Sequence, residues 1–430
     1  MQAYESPYGG YVYAYPHKTA YRPLDPRPAL RDVWAGEHAA ALYVHIPFCE
    51  MRCGFCNLFT RTGAPQDLVG AYLDAVERQA RAVRDALDER STTGPRFTTA
   101  AFGGGTPTYL DARELTRLFD LTERAMGVDL GAVPLSVETS PATATRDRLA
   151  VLAERGVSRV SIGVQSFVDA EARAAVRPQK RAEVDAALDA IRAAGIPTLN
   201  IDLIYGIDGQ TPDSWRFSLD TALTWKPEEV YLYPLYVRPL TGLGKRGRAW
   251  DDQRMELYRQ GRDHLLGSGY EQVSMRMFRL PGSGATTDYC CQTDGMVGLG
   301  CGARSYTSTL HYSFEYAVGV RHVRGIIDDY VRRDDFDVAH VGFALNLEER
   351  KRRHLIQSLL QADGLARDLY RARFGVDVLE DFALDRFGDR LTVDDQRLRL
   401  TADGLANSDA IGPALFSAEV RRLMDGYAAC

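Results

Sequence analysis

The chain has 430 residues, 45% apolar and 26% charged, with a formal net charge of -6. That composition excludes a disordered, collagen-like or membrane-spanning chain. The mildly acidic balance argues against a nucleic-acid partner held on a basic surface. Tyrosines crowd the first residues (Tyr4, Tyr8, Tyr11, Tyr13, Tyr15) with no charged start followed by an apolar stretch, so no secretory signal is expected and a cytoplasmic setting is.

Residues 1–40 are rich in Tyr and Pro, lack periodicity, and read as an extended strap. From residue 41 onward, β-rich runs alternate with helical patterns. The runs are Leu42–Ile46, Thr99–Phe102, Leu135–Val137, Arg159–Val164, Leu199–Ile204 and Val230–Tyr233. Helical periodicity fills roughly 67–90, 111–126, 145–155, 181–194, 212–225 and 251–268. Six βα units in an α/β chain predict an incomplete (β/α)6 barrel over residues 41–315, with a wide mouth at the C-terminal ends of its strands. Beyond residue 315 the pattern changes. Helical stretches at 346–362 and 366–373, a hairpin of Leu391–Val393 with Leu398–Thr401, and a helix near 415–426 predict a small C-terminal α+β domain over 316–430, for which a winged helix is one model.

The seven cysteines are odd in number and unevenly placed: Cys49, Cys53 and Cys56 share one loop, whereas Cys290, Cys291, Cys301 and Cys430 are vicinal or scattered. This does not read as a disulfide framework. Thiolates ligate zinc or iron–sulfur clusters. Three of them on a four-iron cubane leave one iron open to another ligand. A closed zinc shell needs a fourth ligand, for which His45 is the nearby candidate. The loop follows the first strand directly, at the face where α/β barrels build active sites. The other strands end in polar groups or glycines: Gly103-Gly104-Gly105-Thr106, Glu138, Gln165 and Asp202. The glycine run lacks the Gly-Lys-Ser/Thr ending of a phosphate loop, so it fits close backbone approach to some other ligand, such as an ammonium group.

The segment from Tyr43-Val44-His45-Ile46-Pro47-Phe48-Cys49 through Cys56 resembles the cluster loop of radical SAM enzymes. More narrowly it resembles the branch typified by oxygen-independent coproporphyrinogen III dehydrogenase, which also holds a haem chaperone and C-methylating enzymes. Gly103–Thr108, Gly163–Phe167, Asp202–Gly206 and Gly298–Ser305 match that branch in order. The resemblance implies a [4Fe-4S] cluster on Cys49, Cys53 and Cys56, and S-adenosylmethionine (SAM) cleaved to a 5′-deoxyadenosyl radical. It implies SAM contacts from Tyr43, Phe55, Gly104, Gly105, Thr106, Glu138, Gln165, Arg177 and Asp202, with space for a second SAM. It further implies a small-molecule or tetrapyrrole-like substrate and an electron donor such as flavodoxin or ferredoxin, with neither nucleic acid nor membrane as partner.

Each polar contact has a plainer alternative. Glu138 can cap a helix, Gln165 can satisfy strand-end amides, Arg177 can form a surface ion pair, Asp202 can be structural and Phe55 can pack the loop. No catalytic residue is identified. Cys301, flanked by glycines, is expected to line the substrate cavity, together with Tyr289 and Gln292 from the segment leading into it. Cys290 and Cys291 read as small buried residues. His17 and Lys18 of the strap are expected to be solvated. The preferred reaction is functionalisation of an organic substrate with a second SAM as methyl or methylene donor. Oxidative decarboxylation of a porphyrinogen, or haem chaperoning, are the alternatives.

Overall fold

Each of the six β-rich runs becomes a strand, and the six lie side by side, parallel and in chain order. They are β1 (Ala41–Ile46), β2 (Thr99–Gly104), β3 (Leu135–Thr139), β4 (Arg159–Gln165), β5 (Thr198–Tyr205) and β6 (Glu229–Pro234). The protein is described by a computed structural model, which covers residues 7–8, 10–88, 97–177, 179–238, 240–246, 252–283 and 291–427. Between and after the strands run α1 (Gln66–Asp88), α2 (Ala112–Met126), α3 (Arg146–Glu154), α4 (Arg181–Ala193), α5 (Pro212–Thr224) and α6 (Arg254–Gly267). Their ends follow local chemistry: α2 opens on a capping box of Asp111 with Glu114 and stops at Gly127, whose φ is 63°.

A further parallel strand, β7 (Met296–Leu299), pairs with β1, Val297 standing opposite Leu42. Antiparallel segments then extend both margins. Arg304–Tyr306, Leu310–Ser313, Val341–Ala344 and the strap's Arg22–Pro23 continue beyond β7, while Met277–Arg279 and Glu271–Gln272 continue beyond β6. The two outermost segments are not paired with each other, so the sheet stays open.

Parallel strands buried on both faces are apolar throughout. Here they alternate. Leu42, Val44, Phe102, Val137, Val160, Ile162, Ile201, Val230 and Leu232 join the main core. The intervening positions carry Tyr43, His45, Ser136, Glu138, Arg159, Ser161, Asn200, Asp202, Tyr231 and Tyr233. Register puts Glu138 beside Ser161, Ser161 beside Asn200, and Asp202 beside Tyr231, on one shared face. One side of the sheet is therefore a dry seam under helices, and the other is a polar lumen. Near the strand starts, Arg159 and Arg279 converge on Glu229 at 2.7 and 3.2 Å.

The main core runs past residue 315. Val323, Ile327 and Tyr330 of α7 (Val320–Arg332) belong to it, as does Phe336. The boundary expected at 315 thus falls inside the sheet, because α7 turns its apolar stripe onto α1 and Val341–Ala344 pairs with Leu310–Ser313. A second core gathers Leu355, Ile356 and Leu359 of α8 (Leu347–Leu359), Tyr370 of α9 (Arg367–Phe374), Leu398, Leu400 and Ile411. Its elements run helix, strand, helix, helix, strand, strand, as in a winged helix. The strap joins the two bodies, with Tyr8 in the main core and Tyr15 in the second. No helix among the described residues is long and apolar enough to cross a membrane.

Candidate active site

The cysteine loop leaves β1 and is closed at its base. Arg61 N donates to Pro47 O at 2.7 Å, and Phe48–Cys49 pairs with Arg61–Thr62. Behind this base lies His45, 5% exposed, with Nε2 at 3.1 Å from Phe59 O and Nδ1 at 3.2 Å from Tyr43 OH. A Cβ on Gly104 or Gly302 would come within 2.4 or 2.2 Å of its ring. Burial pushes this imidazole down to about 4. His45 is a clamp on the loop with both nitrogens engaged, and so is not a fourth ligand.

The three loop thiols are free and partly exposed. Cys49 Sγ lies 3.4 Å from Thr106 Oγ1, and Cys56 Sγ lies 3.8 Å from Thr60 Oγ1. Cys53 Sγ accepts from Arg177 Nη1 at 3.0 Å. Burial pushes the Cys49 thiol up to about 12 and raises Cys56 as well, with Cys53 adding to the latter. Metal loading must therefore release protons here. All three thiols border one open cleft, shared with Phe55, Gly105, Thr106, Glu138, Gln165, Arg177 and Asp202.

The glycine run forms the wall of this cleft nearest the thiols. Gly104 has φ 112°, a conformation open to glycine, and a Cβ on Gly105 would stand 2.6 Å from Phe48 O. Gly104 N donates to Glu138 Oε2 at 3.0 Å, so Glu138 braces the glycine turn and does not cap a helix. Glu138 opens onto the cleft, yet desolvation by the surrounding walls pushes its carboxyl up to about 7, opposed by that amide and reinforced by Asp202. Asp202 itself is pushed up to about 6 by burial, against hydrogen bonds from Asn200 Nδ2 (2.7 Å) and Ser161 Oγ (3.5 Å). Two carboxyls aimed into a cleft near neutrality, without a basic partner at contact, suit a cationic or hydroxyl-bearing ligand.

Arg177 is not a surface ion-pair residue. Its Nη2 donates to Gly163 O at 2.6 Å and its Nε to Gln179 Oε1 at 2.7 Å, leaving the guanidinium against Cys53. Gln165 sits at a bulge in β4 with φ 69°, a strained value for a side-chain-bearing residue, and borders the cleft. Phe55 lines the cleft and also packs against a small apolar cluster around Ile204 and Leu235.

Other expected site residues lie elsewhere. Tyr43 is on the lumen face but not among the cleft-lining residues, and its hydroxyl meets His45. Cys301 is 1% exposed in the main core beside Tyr72, not in a cavity, and burial pushes its thiol up to about 12. Its flanking glycines make room for Tyr72 and His45: a Cβ on Gly300 would fall 2.5 Å from Tyr72 OH. Gln292 is buried and accepts from Tyr15 N at 2.9 Å and from Gln357 Nε2, tying strap to C-terminal body. Tyr289 and Cys290 lie outside the described residues, and Cys291 is half-buried. Sequence reasoning missed Ser161, Asn200 and Gln179. The first two carry a legible signal, since they are polar residues at alternate positions of parallel strands.

The residues present fit a cluster with a chelating ligand. No group of His, Cys, Asp or Glu among the described residues converges as a site for a single metal ion. A cubane takes each thiolate on a different iron, so its ligands need to share a cleft without converging. The glycine wall and the two raised carboxyls supply the adjoining polar cradle.

Comparison with known proteins agrees with this geometry. A family model described as the radical SAM superfamily matches residues 43–222. The chain is 29% identical over 419 residues to an oxygen-independent coproporphyrinogen III oxidase of Pseudomonas aeruginosa, covering 91% of this chain and 85% of that protein. It is 30% identical over 272 residues to the haem chaperone HemW of Bacillus subtilis, covering 61% of this chain and 70% of that protein. Among solved structures, coproporphyrinogen III oxidase from Escherichia coli shares the fold with a TM-score of 0.75 at 24% identity, over 93% of this chain and 92% of that one.

Proposed function

This chain belongs to the radical SAM superfamily, in the branch of the oxygen-independent coproporphyrinogen III oxidases and HemW, and on that premise we propose that it oxidises a tetrapyrrole-like or similar ring-built substrate held in its lumen. The family uses a [4Fe-4S] cluster and SAM. Cys49, Cys53 and Cys56 would hold the cluster; the Gly104–Thr106 backbone, Glu138, Gln165, Arg177 and Asp202 would hold SAM. When bound, these groups supply one-electron chemistry that removes a hydrogen atom from an organic substrate.

The chain's own part is positional. Glu138, fixed by the Gly104 amide, offers its other oxygen to a cationic group. Asp202, held by Asn200 and Ser161, offers an acceptor farther along the same face. The Arg177 guanidinium, hydrogen-bonded to Cys53, places positive charge beside the thiols. The strap, with Tyr11 against Tyr233 and Tyr13 against Arg304, covers the lumen and limits access of water.

The observation that carries this reading is the continuity of the cleft with the polar sheet face, from the thiols through Asp202 to Tyr231. Likeness to the oxidase of Pseudomonas aeruginosa extends over 91% of the chain, while likeness to the chaperone covers 61%, which ranks oxidation above chaperoning. Methyl or methylene transfer from a second SAM, the reaction preferred from sequence, finds no support in the relatives' names and ranks below both. An electron donor such as a flavodoxin or ferredoxin belongs to the proposal, with dithionite as its substitute in the assay.

The test is anaerobic reconstitution with iron and sulfide, then SAM, dithionite and coproporphyrinogen III. With a one-electron acceptor added to take the electron that the substrate radical sheds as it loses carbon dioxide, formation of 5′-deoxyadenosine with release of carbon dioxide is expected. Absence of SAM cleavage with tight haem binding would favour the chaperone reading, and S-adenosylhomocysteine would favour methyl transfer.

A further inference from the structure

Two enclosed cations beside the lumen have no carboxylate partner among the described residues, and the acidic group that acts on Lys18 is the Cys56 thiol of the cysteine loop. Arg304 donates from Nε to Tyr306 OH at 3.1 Å and from Nη1 to Tyr13 OH at 3.3 Å. Its guanidinium carbon lies 4.9 Å from the Tyr13 ring centre. Lys18 Nζ lies 3.5 Å from the centre of Tyr316 and 5.8 Å from that of Tyr13. Neither forms an ion pair among the described residues. Arg276 and Arg159, by contrast, do: Arg276 meets Asp409 at 2.5 Å, and Arg159 meets Glu229 at 2.7 Å. Phenol rings and hydroxyls compensate only part of the hydration that a buried cation gives up. Lys18, expected to be solvated, is instead packed over an aromatic ring.

The surroundings indicate what would complete the pair. From Tyr13 an aromatic wall continues through Tyr11 (5.6 Å between ring centres) to Tyr233 (6.3 Å) and on to Tyr231, stacked at 5.8 Å. Tyr231 stands beside Asp202 in register. The wall therefore links the two cations to the cleft. We propose that Lys18 and Arg304 form a subsite for a carboxylate carried on an unsaturated or aromatic ring body, the ring lying along the tyrosine wall. The assignment rests on the reading of the lumen as the substrate site. An ammonium beside a planar guanidinium suits a carboxylate, whose two oxygens match the N–H groups of the guanidinium edge. Burial and the Arg304 charge hold the Lys18 ammonium well below the ordinary lysine range, so a bound carboxylate would favour its proton. Both residues lie outside the six-strand unit, on the strap and on the segment after β7, and Lys18 also borders the cysteine loop, since Tyr316 beneath it donates to Asn57 O at 2.7 Å.

The test uses cluster-loaded protein and a thermal-shift titration with benzoate, benzamide and inorganic phosphate as probes. Benzoate is expected to stabilise saturably, benzamide not, and Lys18→Met or Arg304→Met to weaken benzoate about tenfold. Iron and sulfide content and far-UV circular dichroism check that each variant is folded. If either is not, Arg304→Lys and Lys18→Arg replace it and are expected to weaken benzoate less. Equal stabilisation by benzamide, saturation by phosphate alone, or unchanged benzoate affinity in the folded variants would overturn the assignment. Because this assay needs no turnover, a wild-type protein that fails to cleave SAM would refute the proposed function and leave the subsite result readable.

Discussion

Asp409→Asn removes a buried charge that joins three parts of the chain. Asp409 is 1% exposed and accepts from Arg276 Nη2 at 2.5 Å and from Tyr236 OH. Arg276 precedes the edge segment Met277–Arg279, Tyr236 follows β6, and Asp409 lies in the helix Ser408–Ala414 of the C-terminal body. The strap adds Tyr11, 3.9 Å beneath the guanidinium carbon. Losing one member leaves Arg276 buried without a counter-charge, a change that costs about 3–5 kcal/mol. The amide retains the shape and a hydrogen bond, so about 3 kcal/mol is expected, a large fraction of the 5–15 kcal/mol typical of a folded domain. The assay is urea unfolding followed by tryptophan fluorescence and far-UV circular dichroism, on Asp409→Asn, Arg276→Met and the double variant. The double variant should lose less than the sum of the singles, by about 2 kcal/mol. The C-terminal body should also melt at lower urea than the barrel in the single variant. A loss below about 1 kcal/mol, or strict additivity, would refute the reasoning.

Three further outcomes are expected. Cys53→Ala should abolish cubane assembly, read from iron and sulfide content and visible absorbance, while far-UV circular dichroism stays that of the wild type. Gly104→Ala forces a side chain at φ 112° and against His45, so a loss of about 1–3 kcal/mol in urea unfolding is expected from backbone strain alone, with weaker SAM binding by calorimetry. Glu138, raised to about 7 by desolvation in the cleft though its side chain still meets solvent, contributes a small, solvent-screened stability that is fully present below the ordinary carboxylate pKa and is lost as pH rises through 7. In ligand-free protein the wild-type Tm should therefore fall relative to Glu138→Gln between pH 5 and 8, and parallel curves would show that Glu138 does not titrate in that window.

The barrel strands were legible because short β-rich runs alternate with helical periodicity, and several of them carry a polar residue or glycine where the chain reaches the cleft. The alternation of Asn200 with Asp202 and of Tyr231 with Tyr233 also carried the lumen, though it was read only at the strand ends. Strand β7 was not legible: Gly298 looks like loop, yet a Cβ there would lie 2.3 Å from Arg304 O, so the neighbouring backbone demands glycine. Cys301 was misplaced for a related reason. Close approach at its flanking glycines is real, but the visitors are His45 and Tyr72, not a ligand. Lys18 and the boundary at 315 depend on partners far along the chain, Tyr316 for the first and α1 for the second, and local pattern is silent on both.

The division of the sheet into one oily side and one wet side separates two kinds of evolutionary freedom. Outward positions such as Val160 and Ile201 answer to the helices stacked on them, and changing one disturbs many neighbours. Inward positions such as Tyr231 and Tyr233 answer chiefly to whatever cargo the hollow carries. New cargo can thus be accommodated by inward replacements that leave folding almost untouched, while the radical-generating rim stays as it is.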